Sequence, residues 1–239
     1  MKTIKITSFA DNQKKTVFDQ VTEECQLTIE TGKKQLTKLW CSPVHLKELV
    51  VGFLYTSGVV RNLSEIRELD FKTHRSEVTA MVNIEMGGRL SLRPSLSPKH
   101  RNNRQTFCVA GSNIIELMRR FQTHSSEFMQ TGGVHSAALC NEKEILFFKE
   151  DLGRHNALDK IIGEALLNGS ELQDKLVLTS GRIPTEILCK VIMCEIPLIA
   201  SVSAPTYRAV QLARKAGVTV IGFARNNKMN IYSGQERIT

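Results

Sequence analysis

LVLTSGRIPTEILCKVIMCEIPLIASVSAPTYRAVQLARKAGVTVIGFA, residues 176–224, alternates two kinds of segment. Short apolar runs at Leu176–Thr179, Leu198–Val202 and Val218–Ala224 are separated by amphipathic stretches at Pro184–Glu195 and Pro205–Ala216, the second closed by Gly217. The runs are apolar throughout, as strands are when both faces are covered. The order βαβαβ predicts parallel pairing with right-handed crossovers, hence an α/β sheet. Ligands of such sheets bind outside the carboxyl ends of the strands. Those ends carry Ser180-Gly181-Arg182, then Ser201–Ser203, then Phe223, Ala224, Arg225, Asn226, Asn227 and Lys228. The last segment offers two cations, two amides and a ring: phosphate grip, base-edge hydrogen bonds and a stacking surface. A solvated polar turn accounts for the same residues. With no Walker loop and no G-x-G-x-x-G, an ordinary nucleotide fold is not expected.

Upstream, Val134–Cys140 and Ile145–Phe148 flank the polar Asn141–Glu144 and read as a pair of strands. Glu150-Asp-Leu-Gly-Arg-His-Asn-Ala-Leu-Asp-Lys160 follows, and Ala157, Leu158, Ile161, Ile162, Ala165 and Leu166 recur at helical spacing up to the stop at Gly169. Asp151, Gly153, Arg154, His155 and Asn156 therefore crowd a strand-to-helix junction. His155 and Asp159 share one helix face. Free N–H groups and the dipole make a helix N-terminus a natural anion site, and Arg154 adds a two-pronged grip. The expectation is that His135, Asp151, Arg154, His155, Asn156 and Arg182 line one pocket. The alternative is a structural turn stapled by Asp–Arg pairing.

Nearer the start, Cys25–Ile29 and Lys38–Cys41 read as strands, and Ile66–Lys72 and Val78–Met86 as two more, the last with one wet face. Between the pairs a helix is expected, with Ser42 as N-cap, Pro43 in its first position and Gly58 past its end. Ser95–Gln105 is polar, basic and aperiodic, and reads as a mobile loop. It delivers Cys108 just ahead of a helix starting at Gly111-Ser112. These breaks divide the chain into an α+β part, 1–105, and an α/β domain, 106–239, or one continuous domain. Exposure, a helix N-terminus and the nearby Arg101 and Arg104 would each favour a reactive thiolate at Cys108. An idle apolar residue at a helix start is the other reading. Cys140, Cys189 and Cys194 read as structural.

The chain has 239 residues, a formal charge of +8 and six cysteines, none in a C-x-x-C pair. A basic balance favours phosphates, nucleotides or acidic partners. It is spread along the chain, so nucleic acid is not the expected partner. No run of 18 or more apolar residues predicts a membrane span, and the polar first residues resemble no signal, so a cytoplasmic protein without disulfides is expected. No zinc or other resident metal is expected. His135 lacks the deaminase glutamate two positions on, where Ala137 stands, and no Pro-Cys-x-x-Cys follows.

Thr131-Gly-Gly-Val-His-Ser-Ala137, the 150–160 stretch, Ser180-Gly-Arg182, Ser203-Ala-Pro-Thr206, Gly222-Phe-Ala-Arg225 and Asn230-Ile-Tyr232 together resemble the FdhD/NarQ family, as do Pro43–Gly58. The resemblance covers most of the chain. It implies a cytidine-deaminase-like α/β main domain and a formate dehydrogenase accessory sulfurtransferase, thought to dimerise. Such a protein takes persulfide sulfur from a cysteine desulfurase. It passes that sulfur to the molybdenum of bis-molybdopterin guanine dinucleotide before insertion into the formate dehydrogenase apoenzyme. By this resemblance Cys108 matches the persulfide cysteine, and Phe223–Lys228 match the segment for the cofactor's guanine end. The chain departs from the family at Cys108-Val-Ala-Gly-Ser112, with Gly111 where a second cysteine usually falls, at Ser57, where glutamate is usual, and at Pro184, where a hydroxyl residue is common. The missing thiol leaves a second function open: a chaperone that binds and delivers the cofactor without transferring sulfur.

Overall fold

A computed structural model describes residues 1–32, 34–85 and 107–239. Met86 and the basic 95–105 loop, with His100, Arg101 and Arg104, lie outside the described residues. The N-terminal part opens with β1 (Lys2–Ala10) and β2 (Gln13–Val21), a two-stranded antiparallel ribbon of its own. β3 (Cys25–Thr31), β4 (Lys34–Cys41), β5 (Ile66–His74) and β6 (Glu77–Ile84) form a second sheet in the order β4-β3-β6-β5. Between β4 and β5 comes α1 (Leu46–Thr56). Alternate residues of β3 and β6, among them Leu27, Ile29, Val78, Ala80 and Val82, join Leu49, Val50 and Leu54 of α1 in one core. Asn83 of β6 points to solvent, as period-2 alternation over one covered face requires.

The rest of the chain is built on one six-stranded sheet. In chain order it supplies α2 (Gly111–His124), α3 (Ser126–Thr131), β7 (His135–Cys140), β8 (Ile145–Asp151), α4 (Arg154–Leu167), β9 (Leu176–Thr179), α5 (Thr185–Met193), β10 (Leu198–Ser201), α6 (Tyr207–Ala216), β11 (Thr219–Arg225) and β12 (Lys228–Ser233). The strand order is β12-β11-β10-β9-β7-β8. β9, β10 and β11 are parallel, as the βαβαβ order requires, while β7–β8 and β11–β12 are antiparallel hairpins. Both faces are covered. Val177, Ile199 and Val220 pack with α4, α5 and α6 in one core, and their neighbours Leu178, Ala200 and Ile221 pack with α2 in another.

α1 lies against α4 and joins the two parts. Gly52 and Gly163 allow the approach: a Cβ at Gly52 would fall 1.8 Å from Asp159 O, and one at Gly163 would fall 1.9 Å from Glu48 O.

Two local expectations are corrected and a third takes definite form. Ser42 does not cap α1, which begins at Leu46 behind His45, a left-handed residue without a side-chain cap. The Ser42 N–H instead donates to Asp151 Oδ2 at 3.1 Å, and its hydroxyl is buried without a hydrogen-bond partner among the described residues. The 150–160 junction is stapled not by Asp–Arg pairing but by Asp151 with Lys160, 2.6 Å apart and both fully buried. Phe223–Lys228 closes the strand end as a solvated turn, one of the two readings of its sequence. Asn226 and Asn227 form a two-residue left-handed turn, and Lys228 already pairs with Arg225 as β12 begins.

Candidate functional site

Cys108 is the exposed one of the six cysteines; Cys189 is half-buried and the other four are buried. Its neighbours explain this. Phe107 and Val109 both enter the core beneath α2, so in an extended segment the residue between them faces out. Burial pushes the Cys140 thiol up to about 12, and it raises Cys25, Cys41, Cys189 and Cys194 as well. A thiolate is the nucleophilic form, so burial disarms those five.

A polar cluster sits where β7 begins and β9 ends. The antiparallel pairing of these strands sets His135 beside Ser180. The Ser136 N–H donates to Ser180 Oγ at 2.9 Å, and the Ser180 hydroxyl shares a hydrogen bond with His135 Nδ1 at 3.2 Å. The Arg154 side chain crosses Gly181, where a Cβ would lie 2.9 Å from Arg154 Cδ. Arg154 Nε is buried without a hydrogen-bond partner among the described residues. Burial first, then the Arg154 charge, lowers the His135 pKa, so its imidazole is held neutral. His155, 3.6 Å from Glu186 of α5, is lowered by burial and by Lys190 and Arg154. Asp159 on the same helix face pairs with Lys190 and accepts from Thr56 at 2.7 Å. Arg182 is exposed on the loop that follows Gly181.

Thus His135, Arg154 and Ser180 come together around Gly181, with His155 at their edge. Asp151, the cross-strand neighbour of His135, and Asn156 lie next to this cluster with their side chains engaged in structural bonds. Asp151 has no solvent exposure; besides Lys160 and Ser42 it accepts from Gly153 N at 3.0 Å and from Asn156 Nδ2 at 2.8 Å. Asn156 Nδ2 also reaches Trp40 O at 2.8 Å, tying the loop to β4. These two residues hold the loop that presents Arg154.

A groove of about 240 Å³ lies between α2 and the β11–β12 turn. Arg225, Asn226, Asn227 and Lys228 form one wall; Arg119, Gln122 and Thr123 form the other, over a floor of Ile115, Met118 and Ala224. An apolar floor under cations and amides suits a base and its phosphates. Phe223 is not part of the groove lining, but its ring lies 5.9 Å from the guanidinium of Arg225, which is. Phe223 has φ +52° at a register shift, and its N–H donates to Ser203 O at 3.0 Å. A bulky residue at positive φ is strained, and such strain concentrates at functional sites. The wall from α2 escaped the sequence, because its apolar stripe reveals only the buried side and nothing in one dimension brings a distant turn to the other. A larger cavity of about 550 Å³ beside Phe107 is lined by three carboxylates, Glu142, Glu144 and Asp174, against one cation, Lys143, a net negative rim that disfavours phosphate. Among the described residues no group of three or more His, Cys, Asp or Glu could hold a metal ion. Nor, among them, is any helix long and apolar enough to cross a membrane.

The family described as FdhD/NarQ matches residues 22–239. A sulfur carrier protein FdhD from Listeria innocua is 37% identical, covering 98% of this chain and 97% of that protein. One from Bacillus subtilis is also 37% identical, over 93% of this chain and 91% of its own. In fold, the chain is similar to a crystal structure from Desulfotalea psychrophila assigned as a formate dehydrogenase accessory protein, with TM-score 0.82, 24% identity and coverage of 100% and 99%.

Proposed function

This chain belongs to the FdhD/NarQ family, and on that premise we propose that it is a sulfurtransferase, a persulfide carrier for formate dehydrogenase maturation. The observation that carries the proposal is Cys108, exposed at the start of α2 while the other five thiols are wholly or partly covered. The Cys108 thiolate attacks the outer sulfur of a cysteine desulfurase persulfide. The donor's S–S bond breaks, its cysteine leaves as thiolate, and Cys108 now bears the sulfane sulfur. The substrate is the molybdenum of bis-molybdopterin guanine dinucleotide. On transfer the new S–S bond breaks with its electron pair returning to Cys108. The two electrons that make the sulfane sulfur a sulfido ligand come from the reduced metal. The loaded cofactor then passes to the formate dehydrogenase apoenzyme in the cytoplasm.

Within this function the turn-and-helix groove holds a guanine nucleotide end. Arg225 and Lys228 meet phosphate, the Asn226 and Asn227 amides meet the base edge, and the strained Phe223 offers its ring. His135, Arg154, His155 and Arg182 present a second polar, cationic surface to the cofactor, with Asp151 and Asn156 bracing it from behind. Two nucleotide ends call for two grooves, which a C₂ homodimer supplies.

Mass spectrometry after incubation with a cysteine desulfurase and cysteine should find one added sulfur, on Cys108. Cys108→Ala should fold normally and leave formate dehydrogenase inactive. A fully active enzyme matured by the alanine variant would overturn sulfur transfer. It would favour a chaperone that only delivers the cofactor, the reading that Gly111 in place of a second cysteine suggests.

A further inference from the structure

Cys108 sits on a segment clamped from the far end of the chain. Val109 N–H donates to Arg237 O at 2.9 Å, Thr239 N–H donates to Val109 O at 3.2 Å, and Gly111 N–H donates to Thr239 O at 2.8 Å. Val109 and Ile238 form a parallel bridge. The Ile238 side chain also packs on the start of α2, since a Cβ at Gly111 would lie 3.4 Å from Ile238 Cγ2. Arg237 is itself anchored: it is buried, and its Nη1 donates to Thr219 Oγ1 at 3.3 Å. Each bond flanks the thiol and none uses it.

We propose that the main-chain N–H of Thr239 and the side chain of Ile238 position Cys108, fixing where its sulfur is offered. This rests on the sulfur-carrier function. Its consequence is geometric. A helix rises about 1.5 Å per residue, so the groove lining on α2, from Ile115 to Thr123, runs from about 6 Å to about 18 Å along the axis from Gly111. With Cys108 pinned, α2 sets the separation between the sulfur and the bound nucleotide. A freely swinging cysteine would lose that spacing.

Thr239→Pro removes the N–H that bonds Val109. The preceding Ile238, at φ −103° and ψ 118°, already has the extended backbone a following proline demands. Thr239→Ala keeps the N–H and trims only an exposed side chain. A thiol-reactive spin label will attach at Cys108, and its mobility reads the clamp directly. Losing one main-chain hydrogen bond should shrink the ratio of immobilised to mobile label by about two- to tenfold. The expected result is a mobile label in Thr239→Pro, an unchanged one in Thr239→Ala, and equal melting midpoints. Persulfide loading should survive in Thr239→Pro while delivery to formate dehydrogenase falls. Should Thr239→Pro fail to fold, Ile238→Ala, which leaves every main-chain bond intact, should loosen the label in the same direction. A label as immobile in Thr239→Pro and Ile238→Ala as in the parent overturns the proposal. Label mobility needs no sulfur chemistry, so the Cys108→Ala maturation assay can fail while the clamp stands, and the reverse.

Discussion

Lys160 shows how much of the family-like stretch is structural. Its ammonium is fully buried 2.6 Å from Asp151 and also reaches the carbonyls of Ser42 and Glu150, each at 3.4 Å. Removing one partner of a buried pair leaves the other charge without compensation and costs about 3–5 kcal/mol. Lys160→Met should destabilise by that amount in urea unfolding, and Asp151→Asn added to it should recover part of the loss. A single variant costing under about 1 kcal/mol would mean that water or a rearranged neighbour satisfies Asp151. The sequence displays Asp151, Arg154, His155 and Asn156 as one polar run. Residue type does not say whether a carboxylate faces a ligand or a buried cation, so Asp151 and Arg154 look alike until Lys160 is brought over from the next turn of α4.

At the scale of elements, α1 and α4 make the join between the two halves. Alanine in place of a helical glycine ordinarily favours the helix by about 1 kcal/mol. At Gly52 the new methyl would meet Asp159 O at 1.8 Å, and at Gly163 it would meet Glu48 O at 1.9 Å. Main-chain oxygens cannot rotate away, so the helices must separate and open the packing around them. Overpacking of this kind costs about 1–3 kcal/mol and outweighs the propensity gain. Gly52→Ala and Gly163→Ala should each lower the unfolding midpoint. The double variant should lose less than the sum, because one separation relieves both clashes. A stabilised single variant would refute the close crossing. The βαβαβ half was legible because continuous apolar runs and glycine stops speak locally. The β1–β2 ribbon was not: its residues are largely exposed, with Phe18 at 73%, and it has no buried stripe to announce it. The α1 cap was misplaced because Ser42, a good N-cap by type, is claimed by Asp151 from more than a hundred residues away.

For the whole molecule the proposed function raises the question of how a small groove would serve a long cofactor with an anionic pyrophosphate at each end. About 240 Å³ is below the roughly 300–1,000 Å³ of pockets that enclose a drug-sized ligand. Under the proposed function one groove therefore suits one nucleotide end, and the rest of the cofactor would lie outside it, toward a second copy. GDP is the matching probe. The amides of Asn226 and Asn227 are exposed at the turn and are covered only when a base lies against them. A base with the wrong donor and acceptor pattern leaves them unpaired, at about 1–3 kcal/mol. Calorimetry should therefore find ADP weaker than GDP by about fivefold or more. Arg225 and Lys228 are exposed, so their pull on phosphate is screened and both affinities should fall as salt rises. Asn226→Ala with Asn227→Ala should narrow the gap between the nucleotides, whereas Arg225→Ala should weaken both alike. Mass in solution, measured alongside, should be that of a dimer binding two GDP. Equal affinity for ADP and GDP would remove base reading from the turn. A strict monomer binding one GDP would leave the second nucleotide end unheld, and the chain would then have to take up its cofactor by one end alone.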